Sequence, residues 1–426
     1  MQDVFHAYDI RGKYPSEIDP AFARRLGTAI GAVLSKSVGV GRDARYGSRG
    51  VEPAFIEGLL KSGARVTQIS KEPTPTPLVA FFSRQNRSFA VNITASHNPP
   101  EYTGFKIMDK NGMSFNDWDR LKDAMNKDAF EEGVLNTELW NEKYVDAVTK
   151  GVSSDARIAV DSIGGAGTVL GPVALKAIGA TVVPIYTEFS DTFYGREPEP
   201  KENNLHLLQQ RVIDEKAAFG VAFDGDADRV VFVDDAGRVV PTNEMAYWFS
   251  QKLPKGRRVF SVDCTNNLNG PDVRWSRVGN TFISKIMVKE DCVFGAERSG
   301  HYYFDPHQYH ALADGILPCV LTAGWLKDQK LSEALRSVPQ MFSTAGVIHY
   351  SNHAEKNKAM ESIANTMKAS YSSEKILTVD GVKVNEANGW FLVRTSNTEP
   401  LIRYTVEGST KEDAEKLELD VKRFFT

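Results

Sequence analysis

The sequence predicts an α/β protein in which three related α/β domains precede a smaller C-terminal α+β domain. Three observations carry this reading. A strand–helix–strand plan recurs three times, each recurrence ends in an apolar strand that runs into an unusual polar loop, and the pattern after Phe342 changes to alternation of apolar and polar residues.

The recurring plan begins with SVGVGRDARYG, ARIAVDSIGGAG and RRVFSVDCTNN, whose β-branched runs end at Asp43, Asp161 and Asp263. A stretch of helical potential follows each, then a small-residue turn at Gly63-Ala64, Gly179-Ala180 and Gly279-Asn280. A further strand-like run follows the turn: RVTQIS, TVVPIY and TFISKI. That spacing suits a βαβ unit. It divides the chain into residues 1–150, 151–250 and 251–343, with 344–426 as the appendage.

Later in each repeat SFAVNI leads into TASHNPP, AFGVAF into DGDADR and CVFG into AERSGH. Ligands of open α/β sheets gather beyond the carboxyl ends of strands, so the three loops are expected at equivalent places. In the appendage, Asp380-Gly381 and Asn388-Gly389 fall where hairpin turns belong, and KEDAEKLELDVKRFF reads as an amphipathic helix.

Composition bounds the function. The 426 residues are 42% hydrophobic and 25% charged with a net charge of −4, which suits a globular enzyme and not a nucleic-acid binder with its basic field. No apolar run approaches the ~20 residues that span a bilayer, and the start MQDVFHAYDIRG lacks a signal-peptide pattern. Cys264, Cys292 and Cys319 form neither a disulfide framework nor a CxxC pair, so a cytoplasmic protein is expected.

Four loops carry chemistry. DGDADR sets Asp224, Asp226 and Asp228 within five positions, where they repel one another unless a cation is present; oxygen ligands of this kind select Mg²⁺ or Ca²⁺. An EF-hand is excluded, because Arg229 and Asp235 stand where its Gly and Glu belong and strands, not helices, flank the loop. The bland alternative is an acidic turn. TASHNPP offers Ser96 and His97 without a G-x-S-x-G elbow; it is either a functional loop or a polar turn. GAERSGH sets Glu297, Ser299 and His301 on alternate positions, an arrangement suited to vicinal sugar hydroxyls. RTSNTEP and Arg403 supply the guanidinium and hydroxyl groups usual around phosphate. SIGGAGTVLG imitates a dinucleotide fingerprint, but its G-x-G-x-x-x-G spacing points to tight helix-on-sheet packing. His307 and His310 read as loop residues.

Taken in order, YDIRG (8–12), TASHNP (94–99), GFKI (104–107), DGDADR (224–229), ERSGH (297–301) and RTSNTEP (394–400) resemble the α-D-phosphohexomutases, and most closely the phosphomannomutase/phosphoglucomutase branch. The resemblance runs nearly end to end. It implies mixed sheets and four domains around a central cleft, and interconversion of hexose 6-phosphate and hexose 1-phosphate through a phosphoserine. It implies that Ser96 carries the phosphoryl group and that Asp224, Asp226 and Asp228 hold Mg²⁺ together with Ser96. Arg11, His97 and Arg229 are placed near that group, Lys106 and His301 in acid/base work, and Glu297 and Ser299 on the sugar. Arg394, Ser396, Asn397, Thr398 and Arg403 are placed on the non-reacting phosphate. A hexose 1,6-bisphosphate is implied as activator or intermediate, small sugar phosphates as partners, and a monomer or homodimer as the assembly. The AYDIRG opening and the His301-Tyr302-Tyr303-Phe304 run favour mannose and glucose phosphates over the alternative, glucosamine phosphate. Against the family pattern, Ala296 replaces a glycine, Asp263 and Asn266 stand where some members carry basic residues, and Asn280 replaces a histidine.

Overall fold

The computed structural model describes residues 4–126, 129–309, 313–396 and 399–425. It contains four sheets, one to each domain. The first runs Ile10–Lys13, Tyr102–Met108, Phe89–Ile93, Ser37–Arg42, Arg65–Gln68, Val134–Thr137 in spatial order. Its last four strands are parallel and its first two join antiparallel. The second sheet places the parallel trio Phe219–Phe223, Arg157–Asp161, Thr181–Ile185 beside antiparallel Val230–Asp234 and Val239–Val240. The third holds Val273–Ser276, Arg258–Ser261 and Phe294–Ala296 in parallel, with Tyr302–Phe304 antiparallel at its edge. All three α/β sheets are therefore mixed.

The repeat has a structural meaning. TASHNPP, DGDADR and AERSGH each connect the two strands of an antiparallel pair next to the parallel part of the sheet. RTSNTEP does the same between Gly389–Thr395 and Leu401–Gly408 in the fourth sheet. Four hairpin ends converge.

The third repeat departs from the plan. TFISKI is not a strand: it lies in the helix Asn280–Lys289, and the expected helix before it is reduced to the short turn Asn266–Leu268. The strand is instead Val273–Ser276. Gly270-Pro271-Asp272 blocks helix propagation, and Ile283 and Met287 give the apolar run a buried stripe four residues apart. His307 likewise sits on the short helix Pro306–Tyr309 rather than in a loop, and His310 falls outside the described residues.

The glycines of SIGGAGTVLG do pack a helix on a sheet. A Cβ on Gly167 or Gly171 would lie 3.0 or 2.7 Å from the Phe223 ring, so the helix Gly167–Ala177 rests directly on the strand that leads to DGDADR.

One large core joins the second and third domains to the helices Thr76–Asn86 and Asn141–Thr149, and Tyr144 fastens it by donating to Asp314 at 2.7 Å. The fourth domain is a five-stranded antiparallel sheet backed by the helices His353–Ser370 and Lys411–Lys422, with its own core. Asp380-Gly381 does lie between paired strands; the second turn falls one residue earlier than expected, because Gly389 already pairs with Glu386. A small apolar patch of Val262, Trp390 and Leu392 joins the third domain to the fourth. At its centre Lys383 is buried, donates to Val262 O at 3.0 Å and Cys264 O at 3.1 Å, and lies over the rings of Trp275 and Trp390. Asn266 donates to Asn385 beside it.

Burial pushes the Lys383 ammonium from an ordinary 10.5 down to about 8. The unfolded chain keeps this proton longer, so the folded state binds fewer protons in that interval and stability rises with pH there. The thermal midpoint of the wild type relative to Lys383→Met is expected to climb between about pH 8 and about pH 10, and to stay level below about pH 7.5. A level difference across the whole range would show that Lys383 is not desolvated in this joint.

Candidate active site

The strand Phe89–Ile93 is buried along four of its five residues and delivers Ser96 to the loop that follows it. Ser96 has φ +52°, a left-handed conformation that costs a non-glycine residue on the order of 1 kcal/mol or more. Its N–H is taken by the Thr94 hydroxyl at 2.8 Å. Beneath the loop lies a fully buried ion pair, Arg45 to Asp43 at 3.0 Å. Arg45 donates to the carbonyls of Ser96, Asn98, Pro99 and Tyr102, and Asp43 also accepts from Thr94. Five donor–acceptor pairs thus over-determine the strained backbone.

The second domain meets this loop through DGDADR. The Ser96 hydroxyl donates to Asp224 Oδ2 at 3.1 Å. Lys106 Nζ, from the strand Tyr102–Met108, bridges Asp226 Oδ2 at 2.7 Å and Asp228 Oδ2 at 2.6 Å. The Thr76 hydroxyl adds a 2.5 Å bond to Asp226 Oδ2. All three aspartates are fully buried. Burial and the two neighbouring carboxylates push Asp224 well above the usual carboxylate range. Burial acts the same way on Asp228, but Lys106 and His301 outweigh it and hold that group well below. Burial would pull Lys106 down, yet Asp226 and Asp228 keep it above the ordinary lysine value.

The third domain closes the ring. His301 Nε2 stands 3.3 Å from Asp228 Oδ1, and Nδ1 is 3.1 Å from Glu297 and 2.9 Å from the Ser299 hydroxyl. Burial lowers the imidazole and Asp228 more than restores it, so it is raised to about 9. Glu297 is fixed by the Gly279 N–H at 2.6 Å and the Tyr303 hydroxyl at 2.8 Å. A backbone bridge between Arg229 and His301 ties the two loops together. His97, in contrast, is held far below its ordinary value by burial and by Arg229, Arg11 and Lys106, and is neutral.

Three acidic side chains whose ligand atoms lie within 4.8 Å of one another fit a divalent cation. Asp226 Oδ1 is buried and makes no hydrogen bond, and Asp228 Oδ1 meets His301 Nε2 at 3.3 Å, so after Lys106 has taken the other oxygens these two face the place a cation would occupy. An all-oxygen set of this kind is the donor chemistry of Mg²⁺.

One cleft of about 470 Å³ collects the residues singled out in the sequence. Ser96, His97, Lys106, Arg11 and Arg229 line it from the first two domains, with Asp228. Glu297, Ser299 and His301 line it from the third, and Arg394, Ser396 and Arg403 from the fourth. Asp224 and Asp226 lie directly beneath. Asn397 and Thr398 fall outside the described residues. Of the departures from the family pattern, Asn280 lines the cleft, Asp263 accepts from Ser261 within the third domain, and Asn266 binds Asn385 across the joint to the fourth.

Sequence reasoning missed Arg45, Thr76, Asp9 and Asn98. Asp9 holds Arg11 at 2.6 Å and Asn98 receives another of its N–H groups at 2.6 Å. The one available signal was that Asp43, at the end of the first repeat's strand, is followed two residues later by an arginine.

Comparison with known proteins agrees with this geometry. The chain matches the phosphoglucomutase/phosphomannomutase alpha/beta/alpha domains I, II and III over residues 2–132, 142–237 and 260–342, and the family's C-terminal domain over 351–423. It is 34% identical to a "Probable phosphoglucosamine mutase" of Pyrococcus abyssi, covering 98% of this chain and 96% of the relative. A protein of the same description from Methanocella arvoryzae is also 34% identical, covering 97% and 96%. Among solved structures, a phosphoglucomutase/phosphomannomutase family protein from Burkholderia thailandensis superposes with a TM-score of 0.89 at 23% identity, covering 100% of this chain and 97% of that one.

The close approach of the first two loops gives a test. A Cβ on Gly225 would stand 2.4 Å from the Ser96 carbonyl oxygen. Gly225→Ala is expected to cost roughly 1–3 kcal/mol of stability by overpacking and to reduce turnover at least about tenfold by displacing Ser96. Full turnover in a folded Gly225→Ala variant would mean that the two loops do not need this contact.

Proposed function

This chain belongs to the phosphoglucomutase/phosphomannomutase family, and on that premise we propose that it interconverts the 1- and 6-phosphates of a hexosamine, glucosamine phosphate, through phosphorylated Ser96. The observation that carries the mutase chemistry is the Ser96 hydroxyl bonded to Asp224 inside a cluster of three buried carboxylates and three cationic side chains. The choice of sugar rests on the description shared by the full-length relatives, which favours the aminosugar over mannose or glucose. Of the features that favour mannose and glucose, Tyr302, Tyr303 and Phe304 are buried core residues and the Tyr303 hydroxyl supports Glu297, whereas Tyr8, Asp9 and Arg11 of the AYDIRG opening and His301 line the cleft.

Asp224, Asp226 and Asp228 are the residues that would hold Mg²⁺, whose charge would draw electron density from the transferring phosphoryl group. The protein's own groups do the rest. Phosphate monoesters react slowly unless positioned and neutralised. Arg11, Lys106 and Arg229 surround the serine with positive charge. Ser96 gives its phosphoryl group to a sugar hydroxyl: Lys106 or His301, both held protonated, gives a proton to the departing Ser96 Oγ, and the proton released by the sugar hydroxyl restores it. The resulting bisphosphate turns over and returns its other phosphoryl group to Ser96. Glu297 and Ser299 hold sugar hydroxyls, while Arg394, Ser396 and Arg403 hold the phosphate that is not reacting.

Assays with glucosamine, glucose and mannose 1-phosphates, each with Mg²⁺ and a hexose bisphosphate primer, test the reading. Glucosamine 1-phosphate is expected to show the highest kcat/KM. Ser96→Ala should abolish isomerisation and remove any phosphoryl mass from the intact protein. Release of free phosphate without isomerised sugar would identify a phosphatase instead. Mg²⁺ is expected to raise the thermal midpoint of the wild type and not that of Asp226→Asn; equal responses would remove the metal from these aspartates.

A further inference from the structure

The fourth domain hides a lysine beneath the loop that the reading above assigns to the non-reacting phosphate. Lys356 stands on the helix His353–Ser370 and is 5% exposed. Its Nζ donates to Ser396 O at 2.9 Å, lies 3.5 Å from Glu399 O, and is 3.1 Å from His353 Nδ1. An ammonium has three N–H donors, and here they face two backbone carbonyls and an imidazole nitrogen. Among the described residues no carboxylate lies within ion-pairing distance of it.

The cations on the cleft side are differently placed. Arg403 pairs with Glu399 at 2.8 Å. Arg394 faces Asp380 at 4.0 Å, a carboxylate that also lies 3.9 Å from Arg277. Much of their charge is thus answered locally. Lys356 is buried and makes no ion pair among the described residues, so its charge is directed at the loop carbonyls and is less screened than a surface cation's. The two carbonyls it approaches stand on either side of residues 397–398, and the loop is closed by Ser396 N–H to Leu401 O and by Glu399 N–H to the Ser396 hydroxyl.

We infer that Lys356 is a positioning residue for the substrate's non-reacting phosphate: it fixes the Ser396 and Glu399 carbonyls and supplies a buried positive charge beneath the anion. This rests on the phosphate reading of the loop. A dianion gains more from such a charge than a monoanion, and a phosphate monoester passes between the two near pH 6. A purely structural lysine would not distinguish them.

The test is steady-state kinetics on the full-length enzyme with glucosamine 1-phosphate, or with glucose 1-phosphate if only that turns over. Lys356→Met is expected to raise KM about tenfold at pH 7.5, with kcat changed less than about threefold, and to raise KM less at pH 5.5. Lys356→Arg keeps the charge and is expected to retain the wild-type dependence of KM on pH; it carries the test if Lys356→Met does not fold. Unchanged KM in Lys356→Met, an equal penalty at both pH values, or an arginine variant with the methionine phenotype would overturn the assignment. Arg394→Ala separates the two layers of the argument. If it leaves KM untouched, the phosphate reading of the loop has failed; if it raises KM while Lys356→Met does not, the lysine's role alone has failed.

Discussion

Three carboxylates within one hexapeptide, all removed from water, constrain this molecule more than any other feature. Each desolvated carboxylate costs several kcal/mol, and each like-charge pair at their separation adds on the order of 3 kcal/mol at an effective dielectric of ~20. DGDADR cannot supply the compensation itself, because Arg229 alone is basic. The balance comes from outside the second domain: Lys106 from the first, His301 from the third. Domain arrangement and site electrostatics are therefore one problem. The loops face each other because the charges in one are tolerable only beside the others.

A second device recurs around the cleft. Arg45 grips the carbonyls of the serine loop, Lys383 those of Val262 and Cys264, and Lys356 those flanking the fourth loop. Each is a buried cation bonded to backbone oxygens. A cation so used leaves backbone N–H groups and surface hydroxyls for the ligand, and it adds positive potential without occupying cleft volume.

What could be read from the sequence follows from where the information resides. The four loops were legible because each breaks a simple pattern: an apolar strand running into a cluster of polar side chains. Ser96, Asp224, Glu297 and Arg394 announce their chemistry by residue type. The helix Asn280–Lys289 was misread because a six-residue apolar run such as TFISKI carries no period long enough to separate helix from strand; only the Gly270-Pro271-Asp272 turn upstream held the answer. Arg45, Lys356 and Lys383 were invisible for another reason. Their partners are main-chain carbonyls, which every residue possesses, so no motif records the pairing.

The fourth domain gives the reaction its remaining requirement. On the proposed reaction, transfer to and from Ser96 would occur where the first three domains meet, all of which contribute to one core. The non-reacting phosphate must be held at the same distance from that point in two orientations of the sugar. Nothing inside a close-packed core can adjust in that way. The fourth domain has its own core and joins the third through Val262, Trp390 and Leu392, the Lys383 contacts and a few polar bonds such as Val278 N–H to Asp380. On the proposed reading the phosphate loop sits on a body with its own core, and the carboxylate cluster among domains that share one.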